Sequence, residues 1–205
     1  CDESALYGAW DWCVSNKNNH PDYPILVIST SFGGGRFTAA ADSADPAGFA
    51  SAAAAKSAGI SVFCSSGNNG YCDSVGSPAA FSNTVSIGAV YDANVGSPSY
   101  SLSYGSCPVP SGGTYTEPST AADVVCAYSN SSADLLDLFA PSNNNATTTL
   151  GNAFRQNFNG TSAACPYAAG AAACLQSASM QISGRFLTPD ELKAALVLKG
   201  DPVTD

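Results

Sequence analysis

The sequence predicts an α/β fold: three layers, αβα, around a mainly parallel sheet. Two observations carry this. The candidate strands are short apolar runs, rich in β-branched residues, that do not alternate with polar ones, as strands buried on both faces require. Helical segments stand between them, long enough to cross from one parallel strand to the next in the right-handed sense. With 205 residues, 45% of them hydrophobic, the chain has the length of one domain to one and a half and enough apolar matter for a sizeable core.

In chain order, residues 3 to about 18 predict a helix, with Leu6, Trp10, Cys13 and Val14 on one face. Residues 25–28 (Ile-Leu-Val-Ile) follow as a buried strand, and Ser31-Phe32-Gly33-Gly34-Gly35 as the loop after it. Asp45-Pro46 opens a second helix as N-cap and first-turn proline, and Gly59 closes it. Residues 60–64 and 85–90 are two further apolar strands, the first followed by Ser65-Ser66-Gly67-Asn68-Asn69-Gly70. A Gly/Ser/Pro-rich stretch at about 97–132, with Cys107 and Cys126, reads as a surface insertion. Residues 135–139 form a short strand ending at Ala140-Pro141. An Ala-rich helix follows Ser162 and runs to about Ala178, buried nearly all round. A last helix opens at Thr188-Pro189-Asp190-Glu191, a capping-box pattern.

Composition removes several functions. Charged residues make up only 11%, against about 25% in an average protein. Sixteen acidic residues face seven basic ones, for a net charge of −9. Such a chain offers no basic face for nucleic acid or for an anionic membrane. No apolar run approaches the ~18 residues needed to span a bilayer, and Cys1-Asp2-Glu3-Ser4 is no signal peptide. Eight cysteines in a lysine-poor chain point to an oxidising, extracellular setting. No Cys-x-x-Cys is present and His20 is the only histidine, so zinc-site spacings are missing. Sequons at Asn130, Asn145 and Asn159 allow glycosylation. Local disulfides are expected at Cys64–Cys72, closing a loop from a strand end, and at Cys107–Cys126, stapling the insertion. Cys165 and Cys174 cannot pair on one helix, where nine residues span about 13 Å.

Three loops carry candidate chemistry. In Gly160-Thr161-Ser162-Ala163-Ala164-Cys165-Pro166, a serine opens a buried helix whose first amides lack internal partners and whose dipole favours negative charge. That suits a nucleophile whose attack creates an oxyanion; the plainer alternative is Thr161 or Ser162 as an N-cap. The loop at 65–70 sits at the C-terminal end of a parallel strand, where open α/β sheets place ligands, and offers Asn68 as an amide donor; an ordinary tight turn is the alternative. The glycines after Ser31 and Phe32 let an extended peptide approach as an added strand, or serve as a flexible link.

Taken together, these segments resemble the subtilisin-like serine proteases over residues 11–170. Ile28-Ser29-Thr30-Ser31-Phe32-Gly33-Gly34 is similar to the family's substrate-binding strand and loop, and Val62-Phe63-Cys64-Ser65-Ser66-Gly67-Asn68-Asn69-Gly70 to its oxyanion-hole segment. Ser77-Pro78-Ala79, the strand at 85–90, Leu138-Phe139-Ala140-Pro141 and Asn159-Gly160-Thr161-Ser162-Ala163-Ala164-Cys165-Pro166 follow in the family's order. The resemblance implies a serine endopeptidase acting on polypeptides. Ser162 would be its nucleophile and Asn68 its oxyanion donor. Ser31, Phe32 and Gly33 would hold the substrate backbone, Ser65, Ser66 and Gly67 would line a specificity pocket, and Pro78 would follow a cis peptide. Calcium is the one cofactor it brings in, at Asp137 with carbonyls near Ala79 and Phe81; a solvated or capping Asp137 is the alternative.

One departure matters. The triad order is Asp, His, Ser, and the Asp and His motifs that should precede the first helix are not in this sequence. His20, between a helix and a strand, does not replace them. Loss of the histidine in subtilisin costs ~10⁶ in turnover. The expected partner is therefore an N-terminal segment or chain carrying Asp and His, with this chain inert alone and exposing a sheet edge. A catalytically inactive module of the same fold, with a structural or binding role, is the alternative. A sedolisin-like Glu/Asp peptidase fits less well, because Asn68 stands where an aspartate belongs.

Overall fold

A computed structural model describes residues 2–20, 22–102 and 113–203. Four parallel strands form the main sheet in the order β1-β3-β5-β8. They are β1 (Val27–Thr30), β3 (Ser61–Ser65), β5 (Val85–Val90) and β8 (Leu138–Pro141). β3 and β5 are buried at every position, which is why their sequences show no alternation. β1 pairs only with β3 among the described residues, with Val27 opposite Ser61 and Thr30 opposite Cys64. Val27 and Ile28 are half-buried and Ser29 is exposed, so β1 is an edge.

The two faces of β3 serve different layers. Val62 and Cys64 join Tyr7, Trp10, Ala52 and Ala55 from α1 (Glu3–Ser15) and α2 (Pro46–Ser57). Phe63 joins Ile87, Ala164, Ala168 and Ala172 from α3 (Thr161–Ser183), together with Leu192 from α4 (Pro189–Lys199). Asp2 caps α1 by accepting from Ala5 N–H at 2.9 Å, and Asp45 caps α2 by accepting from Gly48 N–H at 3.1 Å. The capping box of α4 forms as its sequence predicts: Thr188 Oγ accepts from Glu191 N–H at 3.3 Å, and Glu191 accepts from Thr188 N–H at 2.9 Å.

Three antiparallel pairs lie outside the main sheet: β2 (Gly34–Phe37) with β4 (Val75–Ser77), β6 (Ser99–Leu102) with β7 (Gly113–Thr116), and β9 (Asn145–Thr149) with β10 (Ala153–Phe158). The stretch read as an insertion is not wholly superficial. Leu102, Cys126, Tyr128 and Asn130 are buried, the first three in the core under α3.

Several expectations change. α3 is not buried all round: Tyr167, Gly170, Ala171, Ala173, Cys174 and Ser177 are exposed along one face. Cys64 does not pair with Cys72. It is a free thiol turned into the α1–α2 core, whereas Cys72 is disulfide-bonded. Cys126 is also a free, fully buried thiol, so it makes no staple; Cys107 lies outside the described residues. Asn130 is 0% exposed, so its sequon is closed to a glycan in the folded chain. Calcium does not fit at Asp137. One carboxylate oxygen lies 2.6 Å from Lys193 Nζ and the other accepts Ser86 N–H at 2.9 Å. The Phe81 carbonyl already accepts from Thr84 Oγ at 3.0 Å. A cationic ammonium thus stands where a cation would need the acid.

Burial pushes the Cys126 thiol up to about 12 and raises Cys64 and Cys165 as well. Iodoacetamide applied to the native protein near pH 8 should therefore alkylate the exposed Cys174 and spare Cys64, Cys126 and Cys165 until denaturant is added. Peptide mapping reads the result. A second check is Leu192→Ala, which should lower unfolding free energy by about 2–5 kcal/mol in a urea titration, because Leu192 is fully buried where α4 joins the core.

Candidate active site

The C-terminal ends of β1 and β3 and the N-terminal end of α3 meet at one place. Neither Thr161 nor Ser162 caps α3. Gly160 does, at φ 93° and with no side-chain cap bond. Thr161 is fully buried, and its hydroxyl donates to Asn68 Oδ1 at 3.0 Å while its backbone N–H donates to the same oxygen at 2.8 Å. The Thr161 hydroxyl oxygen also accepts Gly67 N–H at 3.2 Å. The loop after β3 is thus fastened to the first turn of the helix.

This fastening orients Asn68. With Oδ1 turned onto Thr161, Nδ2 lies over the Gly160 backbone: a Cβ on Gly160 would come within 3.1 Å of it. Only glycine allows that approach at this positive φ. Ser162 follows, partly buried. Among the described residues, neither its N–H nor its hydroxyl has a hydrogen-bond partner, as the first turn of a helix leaves its amides free. The exposed Asn68 is thus bonded to the residue just before Ser162, whose own N–H and hydroxyl stay unpartnered among the described residues.

The other predicted residues divide. Ser31 reaches the site, donating from Oγ to the Ser162 carbonyl at 2.8 Å. Phe32 is partly buried, and Gly33 is exposed beside the cis Ser77–Pro78 bond, where a Cβ would lie 2.4 Å from the Ser77 carbonyl oxygen. The chain from Ser31 into β2 thus presents open backbone. Ser65 is buried at the end of β3. Ser66 is fully buried and turns its hydroxyl onto the Asn130 carbonyl at 2.7 Å, so it faces the loop's own interior. Gly67, at φ 111°, makes the bend before Asn68. His20 is exposed, tilted against Tyr23 at 4.7 Å between ring centroids. It precedes the N-terminal end of β1, whereas Ser31 follows its C-terminal end.

Several supporting residues carried no signal in the sequence. Ser142 Oγ donates to the Gly160 carbonyl at 2.9 Å, and Tyr128 Oη donates to Ser142 Oγ at 2.8 Å. Gly160 N–H points to Tyr128 Oη at 3.4 Å. Burial, then the neighbouring Cys126, raises the Tyr128 phenol well above its ordinary value, so it stays a neutral donor. A depression of about 200 Å³ opens beside the site, lined by Asn145, Thr147, Phe158, Ala163, Pro166 and Tyr167. The described residues contain no cluster of three or more His, Cys, Asp or Glu able to hold a metal.

Comparison with known proteins gives this geometry a family. The sequence model of the subtilase family, peptidase S8, matches residues 5–202. The chain belongs to the subtilase family. Among solved structures, it is similar to the prenylagaramide maturation protease PagA at 19% identity and TM-score 0.72, covering 99% of this chain and 59% of that one. It is also similar to a cold-adapted subtilisin-like serine proteinase, at 22% identity and TM-score 0.65, covering 98% and 57%. A third is the self-cleaved protease domain of PatA, at 20% identity and TM-score 0.66, covering 96% and 60%. This subtilase chain thus spans about three-fifths of the length of each. No curated protein matches it in sequence.

The Gly160 turn of this subtilase chain depends on Tyr128. Tyr128→Phe leaves the Gly160 amide and the Ser142 hydroxyl short of a partner in a buried site. It should reduce unfolding free energy by about 1–3 kcal/mol, measured by urea denaturation followed by circular dichroism.

Proposed function

We propose that this chain is the nucleophile-bearing portion of a serine endopeptidase. One observation carries the reading: Asn68 Oδ1 is held by both the N–H and the hydroxyl of Thr161, the residue before Ser162, whose own N–H and hydroxyl are unpartnered among the described residues. In the proposed reaction, Ser162 Oγ attacks the scissile carbonyl and gives its proton to a histidine. The carbonyl oxygen becomes an oxyanion that accepts from Asn68 Nδ2 and Ser162 N–H. Collapse expels the amine, which takes the proton from the histidine, and water then hydrolyses the acyl-enzyme by the same proton route. The substrate backbone lies along Ser31, Phe32 and Gly33.

The histidine and its aspartate come from a companion segment or chain in this reading. His20 lies toward the far end of β1, and β1 itself is an open edge. The face of α3 left exposed beside it consists mostly of small residues, which suit close packing by another element. An extracellular setting agrees with the disulfide at Cys72 and the acidic, lysine-poor composition.

A fluorophosphonate probe tests the proposal. The isolated chain should not react. The chain paired with a segment supplying Asp and His should be labelled at Ser162 and should hydrolyse a chromogenic peptide. No labelling in the paired form would leave a catalytically inactive module. In the paired form, Asn68→Ala should lower kcat by about 10²–10³ with little change in KM, the loss that removal of the equivalent donor causes in subtilisin.

A further inference from the structure

Besides Thr161, the Asn68 loop is held by Asn130. Asn130 is fully buried, and every hydrogen-bonding group it owns is directed at residues 66–71. Its Oδ1 accepts Asn69 N–H at 2.8 Å and Tyr71 N–H at 3.2 Å. Its Nδ2 donates to the Ser66 carbonyl at 3.1 Å and to Asn69 Oδ1 at 3.3 Å. Its backbone N–H donates to the Gly67 carbonyl at 2.9 Å, and its own carbonyl accepts Ser66 Oγ at 2.7 Å. A side-chain amide has two donor hydrogens and one acceptor oxygen with two lone pairs, and here all are engaged.

These bonds grip the chain on both sides of Asn68 and do not touch Asn68. The bend they hold passes through two positive-φ positions that favour glycine, Gly67 at φ 111° and Gly70 at φ 73°. The fit is close: a Cβ on Gly67 would come within 2.3 Å of Asn130 Nδ2. With Ser66, Gly67, Asn69 and Tyr71 fixed, the Asn68 backbone is fixed too, so that its side chain starts from a set position from which Thr161 fixes the turn of the amide, before any substrate arrives. A donor fixed in advance stabilises a developing oxyanion better than one that must be gathered during the reaction.

We infer that Asn130 is a positioning residue for the oxyanion donor, setting the pose of Asn68 without contacting substrate. The inference rests on the endopeptidase reading above and names one more residue on which its rate depends.

The test uses the full protein with the Asp- and His-bearing segment present. A fluorophosphonate titration counts competent sites, and kcat is expressed per titrated site, which separates the pose of Asn68 from the fraction of folded protein. Asn130→Ala should lower kcat about 10–100-fold with KM within about threefold. In an Asn68→Ala background, the same substitution should cost less than about twofold, because the donor it positions is already gone. Asn130→Asp covers the case in which the alanine variant fails to fold. It keeps the shape and both acceptor contacts but offers Ser66 and Asn69 no donor, so its kcat per site should also fall. The inference is overturned if both variants, or the aspartate alone where alanine does not fold, keep kcat per site within about threefold of the parent. It is equally overturned if the losses at positions 68 and 130 simply multiply. A parent protein that neither labels nor cleaves would overturn the endopeptidase reading itself, an outcome distinct from normal variants of an active parent.

Discussion

The structure depends on one oxygen. Asn68 Oδ1 accepts both the N–H and the hydroxyl of Thr161, and through these bonds the loop of β3 is joined to the start of α3. Each bond contributes only about 1 kcal/mol net, so their importance is geometric. They set which way the amide of Asn68 turns, and they require a glycine at the helix cap, since a Cβ on Gly160 would press against Asn68 Nδ2. They also explain why Thr161 is buried inside the first turn when a threonine at a helix start would ordinarily serve as the cap. Here its hydroxyl is taken by the neighbouring loop, and the helix N-terminus is left open for the residue that follows.

The far side of the same turn is held by a chain of phenols. Glu117 accepts from Tyr91 Oη at 3.0 Å, Tyr91 and Tyr100 share a hydrogen bond at 2.9 Å, and Asn143 Nδ2 donates to Tyr100 Oη at 2.8 Å. Tyr128 contacts Asn143 Oδ1 at 3.3 Å and continues through Ser142 to the Gly160 carbonyl. Burial raises the phenols of Tyr91, Tyr100 and Tyr128, so each stays neutral and the chain keeps its hydrogens through the neutral range. The stretch that carries Glu117 and Tyr128 thus reaches the Gly160 backbone, two residues before Ser162. Asn130, two residues beyond Tyr128, reaches the Asn68 loop, so a single segment braces both halves of the site.

What the sequence discloses follows the range of the forces involved. β3 and β5 are legible because burial on both faces leaves an unbroken apolar run, and the cap of α4 because its bonds lie within three residues. The β9–β10 hairpin is not, because its strands are exposed and built from Asn, Thr and Arg with no periodic pattern. The Cys64–Cys72 pairing fails because a short spacing along the chain says nothing about direction: Cys64 points into the layer of α1 and α2. The loop at Ser162 and the Asn68 loop are readable as local motifs. Asn130 is not, since its partners lie about sixty positions earlier, and in the sequence it shows only as a glycosylation pattern that its burial closes.

The exposed face of α3 belongs to the same logic. An Ala/Gly-rich helix in the interior lets a sheet come close, and on the sheet side this one does so, with Ala164, Ala168 and Ala172 against Phe63 and Ile87. On the other side Gly170, Ala171, Ala173 and Cys174 meet solvent. Where that face meets the approach to β1, a groove of about 580 Å³ opens, lined by Tyr23, Ile25, Val27, Ala173, Met180 and Phe186 among others. Small exposed residues give little stability to a helix surface that stays wet, but they allow an added element to approach to backbone distance. The edge of β1 left unpaired among the described residues adjoins that face and offers its hydrogen bonds to a further strand. In the proposed reading, the segment that completes the sheet is also the segment that brings the base to Ser162, so folding cooperativity and catalytic competence rise together at one edge. That coupling follows from topology: α3 packs against all four strands of the sheet and begins one residue before Ser162, so whatever orders β1 and the face of α3 also orders Ser162.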